Sequence, residues 1–211
     1  MITGIRKELA NGLFYGGAVK FGAFALKLHE KQPDAPLSPI YIDLRIIRSL
    51  PEVLDSAAYT YQLLISELDI KPDYYVDVPT SITPVVAVMS ARFGKPMISP
   101  RMDTKTHGLT RSIDGIFEKG KTALLIDDLI TTADSKLEVI SILEENGLVV
   151  HHVVVLVDRE QGGAQKLREL GYNCHAVFTL SELLNFYAQT GLIDRDTCGR
   201  VAAYLQPSQP K

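Results

Sequence analysis

Apolar positions along this chain fall into two alternating kinds of segment. In the first, a few consecutive residues are nearly all apolar, as at 123–127, where Ala123, Leu124, Leu125 and Ile126 end against the paired carboxylates Asp127 and Asp128. Such a run is too short for a buried helix and its flanks are charged, so the pattern predicts a parallel strand covered on both faces. Similar runs at 73–78, 96–99, 152–157 and 174–178 predict its neighbours. In the second kind, apolar residues recur every three or four positions. Pro51 opens the longest of these as a first helical residue, with Leu54, Ala57, Ala58, Tyr61, Leu64, Ile65 and Leu68 as its stripe. Others cover 85–93, the segment after the acidic pair, and 181–188, where Leu183, Leu184 and Tyr187 point inward. The helix after the acids carries a predicted capping box, Ser135 with Glu138, an apolar face of Leu137, Ile140 and Leu143, and a stop at Gly147. Strands separated by helices imply an α/β fold: an open, mostly parallel sheet with helices on both faces.

The first 48 residues break this rhythm. A short helix is predicted at 5–14, with Thr3 as a cap and Ile5, Leu9 and Leu13 on one face. Imperfect alternation at 21–28 predicts an edge strand carrying Lys27, prolines and charge make 29–39 a loop, and 41–45 pairs back. Together they form a small hood beside the main sheet, within a single domain spanning 1–211; the closing YLQPSQPK reads as a tail.

Composition narrows the function classes. At 211 residues and 23.3 kDa the chain suffices for one substantial core. A formal net charge of −3 gives no global attraction to nucleic acid or anionic lipid. Cys174 and Cys198 lie far apart without metal-ligand spacing, which favours a reducing compartment. No run reaches transmembrane length and the start lacks a signal-peptide core, so a cytoplasmic protein is expected, without membrane or nucleic-acid partners.

The chemistry gathers at the predicted strand ends. Thr131, Thr132, Asp134 and Ser135 form a hydroxyl-rich loop opening a helix just past a strand, where backbone N–H groups bind anions. Asp127 and Asp128 suit sugar hydroxyls or a metal rather than the anion itself. Thr80 and Ser81 follow the first core strand and either donate to a phosphate or cap the helix opened at Pro84. The aperiodic segment 100–115 carries Arg101, Lys105, His107 and Arg111, as solvated surface or as a lid for a polyanion. Arg159, in VDREQGG, either makes a bidentate pair with a substrate carboxylate or pairs with Asp158 or Glu160.

The string LLIDDLITTADS resembles the ribose-phosphate loop of the type I phosphoribosyltransferases. LVDREQGG, SPIYIDLR and RMDTKTHG resemble the orotate phosphoribosyltransferase branch over about 13–200. That resemblance implies transfer of the 5-phosphoribosyl group from phosphoribosyl pyrophosphate to N1 of orotate, in pyrimidine biosynthesis. It gives Lys27 and Arg159 to orotate, Asp127 and Asp128 to the ribose hydroxyls, and Thr131, Thr132, Ala133, Asp134 and Ser135 to the 5-phosphate. Thr80 and Ser81 lie beside the substrate. Arg101, Lys105 and His107 clasp pyrophosphate, on a loop, 101–111, that crosses to the partner's site in a homodimer. Mg²⁺ is expected on the pyrophosphate, with no direct protein ligand. The chain departs from the family at Ser81 and Met102, where lysines are usual, and at Ala133 and Asp134, where glycine and then a hydroxyl or glycine are usual. The pattern LKSG is LKLH here, with an insertion before Ser38. Those departures leave a second reading, a catalytically weak relative that binds a nucleotide or pyrimidine and acts through a partner.

Overall fold

The computed structural model describes residues 2–25, 33–102 and 112–205. Helix α1 (Gly4–Tyr15) precedes an antiparallel ribbon of β1 (Val19–Phe24) and β2 (Ser38–Ile42), and a 3₁₀ helix (Leu44–Ser49) leads to α2 (Pro51–Glu67). Then come β3 (Tyr74–Asp77), α3 (Thr83–Phe93), β4 (Met97–Pro100), β5 (Ile113–Asp114) and β6 (Thr122–Ile130). The chain continues through α4 (Asp134–Glu145), β7 (Val149–Asp158), α5 (Gly163–Glu169), β8 (Asn173–Thr179), α6 (Leu180–Gln189) and α7 (Arg195–Leu205).

The main sheet has the order β5-β4-β3-β6-β7-β8, parallel throughout except for β5. Alternation along the strands divides the core in two. Leu124, Ile126, Val154 and Leu156 face a cluster built with α1, α2, α3 and α6, while Ala123, Leu125, Val153 and Val155 face one built with α4 and Leu167 of α5. The α/β reading holds, and the apolar runs are apolar because both faces are covered. The direction of winding reverses between the parallel strands β3 and β6: from β3 the connection goes out to β4, and from β6 it goes the other way to β7. Ligands of open α/β sheets bind at that switch, beyond the carboxyl ends. No described helix is long and apolar enough to cross a membrane.

Several local expectations need correction. The central strand does not stop at Asp127. It pairs with β7 as far as Ile130↔Asp158, because the fully buried Ile130 keeps the backbone in the sheet beyond the acids. Ser135 is not a helix cap: α4 starts at Asp134, two residues earlier than a Ser135 cap implies, after Ala133 at φ 73°, with no side-chain cap bond. A true capping box occurs instead at Thr179 and Glu182, where TLSE opens α6. The hood strands lie earlier than expected, since the Asp43 carboxylate accepts the Arg45 N–H and starts the 3₁₀ helix where a strand was predicted. Thr3 makes no cap bond. Helices α5 and α7 and strand β5 had no predicted counterpart; Val201 is the one fully buried residue of α7, too sparse an apolar signal.

Candidate active site

Four connections meet at the carboxyl edge around the switch. At the end of β3, Asp77 is fully buried and accepts hydrogen bonds from the Thr83 hydroxyl and, at 2.6 Å, from the Ser99 hydroxyl. That fixes the turn 78–82, whose Thr80 carbonyl accepts from Arg48 of the 3₁₀ helix at 3.0 Å. Ser81 does not cap α3, which has Ile82 in the capping position and no side-chain cap bond. Its hydroxyl donates to the Asp128 carboxylate, tying two strand ends together.

The two acids of β6 point into different surroundings, as neighbours on a strand must. Asp127 is buried at 3% exposure. Its Oδ2 pairs with the Lys136 ammonium, its Oδ1 accepts the Asp128 N–H at 2.8 Å, and its carbonyl accepts the buried Tyr61 hydroxyl at 2.6 Å. Burial pushes the Asp127 carboxyl up to about 7, against the pull of Lys136 and with Asp128 adding to the rise. Asp128 is only half-buried.

In the loop that follows, Asp134 is turned outward. Its Oδ1 takes the Lys166 ammonium of α5 at 2.8 Å and its Oδ2 accepts the Thr132 hydroxyl at 2.8 Å. Lys166 and Thr132 hold its carboxyl below the usual range. Asp134 therefore does not occupy the space enclosed by 131–135, and Thr131 and Ser135 make no bond to it among the described residues.

Behind the loop runs the segment after β7. The Arg159 N–H donates to the Ile130 carbonyl at 3.1 Å. Gly163 is packed so closely that a Cβ there would lie 2.4 Å from the Thr131 carbonyl oxygen, so only glycine permits this approach. Arg159 is 9% exposed, and its Nε and Nη2 are buried without a partner among the described residues. The two acids that the sequence offered as routine partners are occupied elsewhere: Asp158 accepts the Glu160 N–H and Glu160 accepts the Ser181 N–H, both at 2.8 Å. Burial pulls the Arg159 pKa down. A planar donor fork, desolvated and unmatched, has the geometry to take a carboxylate.

Arg101 is engaged by a neighbouring acid. Its Nε and Nη2 bind Asp114 of β5 at 2.9 and 2.7 Å, so a pyrophosphate contact requires that exposed pair to open. Met102 packs against the second core cluster. Lys27, Lys105 and His107 lie outside the described residues. Lys136, Lys166, Arg48, Asp77 and Gly163 entered no sequence expectation. For Lys136 a signal existed, since positions 136, 139, 140 and 143 form the buried face of α4 and a lysine in that register is anomalous. A cavity of about 180 Å³ beside Pro72 and His152 opens at the opposite, amino edge of the sheet and takes no part.

No family model matches the chain. It is 37% identical over 169 residues to the orotate phosphoribosyltransferase of Pyrobaculum aerophilum, covering 80% of this chain and 83% of that protein. It is 35% identical over 199 residues to the uridine 5'-monophosphate synthase of Bos taurus, covering 94% of this chain and 40% of that one. Among solved structures, the UMP synthase of Leishmania donovani superposes with a TM-score of 0.83 at 34% identity, over 96% of this chain and 42% of that chain. The chain thus spans about two fifths of the length of these larger relatives.

Proposed function

The chain belongs to the orotate phosphoribosyltransferase family, and from that premise we propose that it transfers the 5-phosphoribosyl group of phosphoribosyl pyrophosphate to orotate in pyrimidine biosynthesis. The observation that carries this reading is the buried, unpartnered guanidinium of Arg159, which a substrate carboxylate would satisfy. In the reaction, N1 of orotate bonds to C1 of the ribose. The C1–O bond breaks with its electron pair leaving on pyrophosphate, and the N1 proton passes to solvent or to the departing group. Positive charge grows on the ribose ring and negative charge on the leaving group, so no protein nucleophile is required.

Residue roles follow from that charge flow. Arg159 and Lys27 orient orotate. Asp128 accepts from ribose hydroxyls. Thr131 and Ser135, with the N–H groups of 131–135 at the start of α4, hold the 5-phosphate, while Thr132 and Ala133 shape the loop and Asp134 stays on Lys166. Lys105, His107 and Arg101 meet the pyrophosphate, from the partner's loop in a cytoplasmic homodimer. Mg²⁺ keeps several waters and binds through one or two carboxylates plus substrate phosphates. Here the ion would come with the pyrophosphate and without a direct protein ligand, in keeping with the lack of any group of three acidic, histidine or cysteine ligands among the described residues. When bound, the ion neutralises charge on the pyrophosphate.

The test is a spectrophotometric assay with orotate, phosphoribosyl pyrophosphate and Mg²⁺. Orotidine 5-phosphate is the expected product. Its absence, with turnover of another base instead, would reassign the acceptor; absence with every base would end the transferase reading.

A further inference from the structure

The neighbouring carboxylates of β6 are unequally placed, and Lys136 engages only one of them. This lysine takes the first position of the buried face of α4, at 5% exposure, where an apolar residue would cost nothing to desolvate. Its ammonium contacts Asp127 Oδ2, the Leu129 carbonyl and, at 3.4 Å, the Ser135 hydroxyl. All three acceptors belong to the stretch 127–135 that encloses the phosphate loop. Both Asp127 oxygens are thereby engaged, one by Lys136 and one by the Asp128 N–H. Asp128 is half-buried and engages one oxygen with Ser81.

We propose that Lys136 is a positioning residue that turns Asp127 into an internal anchor of the phosphate loop and leaves Asp128 as the carboxylate of the pair that reads the sugar hydroxyls. The inference rests on the phosphoribosyl reading given above. Two physical consequences support it. A dianionic 5-phosphate next to two free carboxylates would be repelled by both, and Lys136 cancels the charge of one. The ammonium also staples the end of β6 to the first turn of α4, fixing the entry and exit of the loop between them.

The experiment is calorimetric titration of the full chain with ribose 5-phosphate and with inorganic phosphate, the ratio of the two affinities giving the contribution of the sugar. Asp128→Asn should cut that ratio by about tenfold or more while changing phosphate affinity by less than about twofold. Lys136→Met leaves Asp127 buried and unpaired, so it should lower Tm and weaken both ligands together. Asp127→Asn/Lys136→Met, which removes both charges, should recover Tm and keep the ratio within about threefold of the wild type. Asp127→Asn/Lys136→Gln, a neutral hydrogen-bonded pair, gives the same reading if the methionine variant does not fold. A folded double variant whose ratio falls as far as that of Asp128→Asn would make Asp127 a sugar ligand and overturn the proposal, as would an Asp128→Asn protein with an unaltered ratio. A wild-type protein that binds phosphate but shows no preference for ribose 5-phosphate would sink the phosphoribosyl reading itself, and this inference with it.

Discussion

A guanidinium removed from water with two nitrogens unbonded destabilises the chain that carries it. Arg159 is in that state in the free protein, so stability and binding pull in opposite directions at this residue. Arg159→Met, similar in length and uncharged, is expected to raise Tm while weakening orotate binding by about 2–5 kcal/mol. Thermal melts and calorimetry check the two signs, and unchanged orotate affinity would remove Arg159 from the site. The same conflict exists on a smaller scale at Ala133, whose Cβ must tolerate φ 73°. Glycine there relieves strain but enlarges the unfolded ensemble, for a net gain below about 1 kcal/mol. Because Asp134 already faces Lys166, Ala133→Gly/Asp134→Thr should tighten phosphoribosyl pyrophosphate by less than about tenfold; a gain of a thousandfold would mean that the native loop blocks the phosphate. Arg159 and the acidic pair stood out in the sequence because each follows an unbroken apolar run. The engagement of Lys136 was not, since a lysine in a helix is ordinarily solvated and only its register with Val139, Ile140 and Leu143 hinted otherwise.

Elements were legible where periodicity was strong and illegible where a single side chain decided the boundary. Pro51 started α2 as expected, and Gly147, at φ 83°, ended α4. Beyond Asp127, however, a second carboxylate suggested a loop, and the burial of Ile130 outweighed it. The β7–β8 pair carries a feature of another sort. His152 Nδ1 and His175 Nε2 lie 3.2 Å apart with the rings stacked at 24°. Burial lowers both pKa values below 6.5, with His151 adding at His152 and His152 adding at His175. The unfolded chain then takes up protons first as pH falls through about 6.5, so the stability of the pair is lost toward acid. Asp127, whose carboxyl burial raises, acts in the opposite sense. The measurable quantity is therefore the difference between Tm-against-pH slopes: between pH 7.5 and 5.5, His175→Gln should fall less steeply than the wild type. Parallel slopes would show that the ring pair is not a titrating unit.

For the whole molecule, an α/β sheet clothed on both sides leaves continuous apolar runs, the pattern that survives best in a single sequence. Which residues lie in one protomer and which come from a partner is not written in such runs. If the 101–111 loop serves the neighbouring site, Lys105→Ala and Asp128→Ala proteins, each inactive, should regain about a quarter of wild-type activity per active-site pair when mixed and allowed to exchange. Mixed dimers as inactive as their parents would place the loop in its own subunit.

The sheet order has a further consequence, in time rather than in space. Strand β3 pairs with β6, so Val76 waits for Leu125, about fifty residues later in synthesis. At roughly 5–20 residues per second, several seconds pass with one edge of an apolar strand unpaired. During that interval Tyr74, Tyr75 and Val76 offer bare N–H and C=O groups to any other nascent chain. The crevice proposed to hold the sugar is closed only by the late arrival of β6, so until then its position is also where the growing chain is most exposed to mispairing.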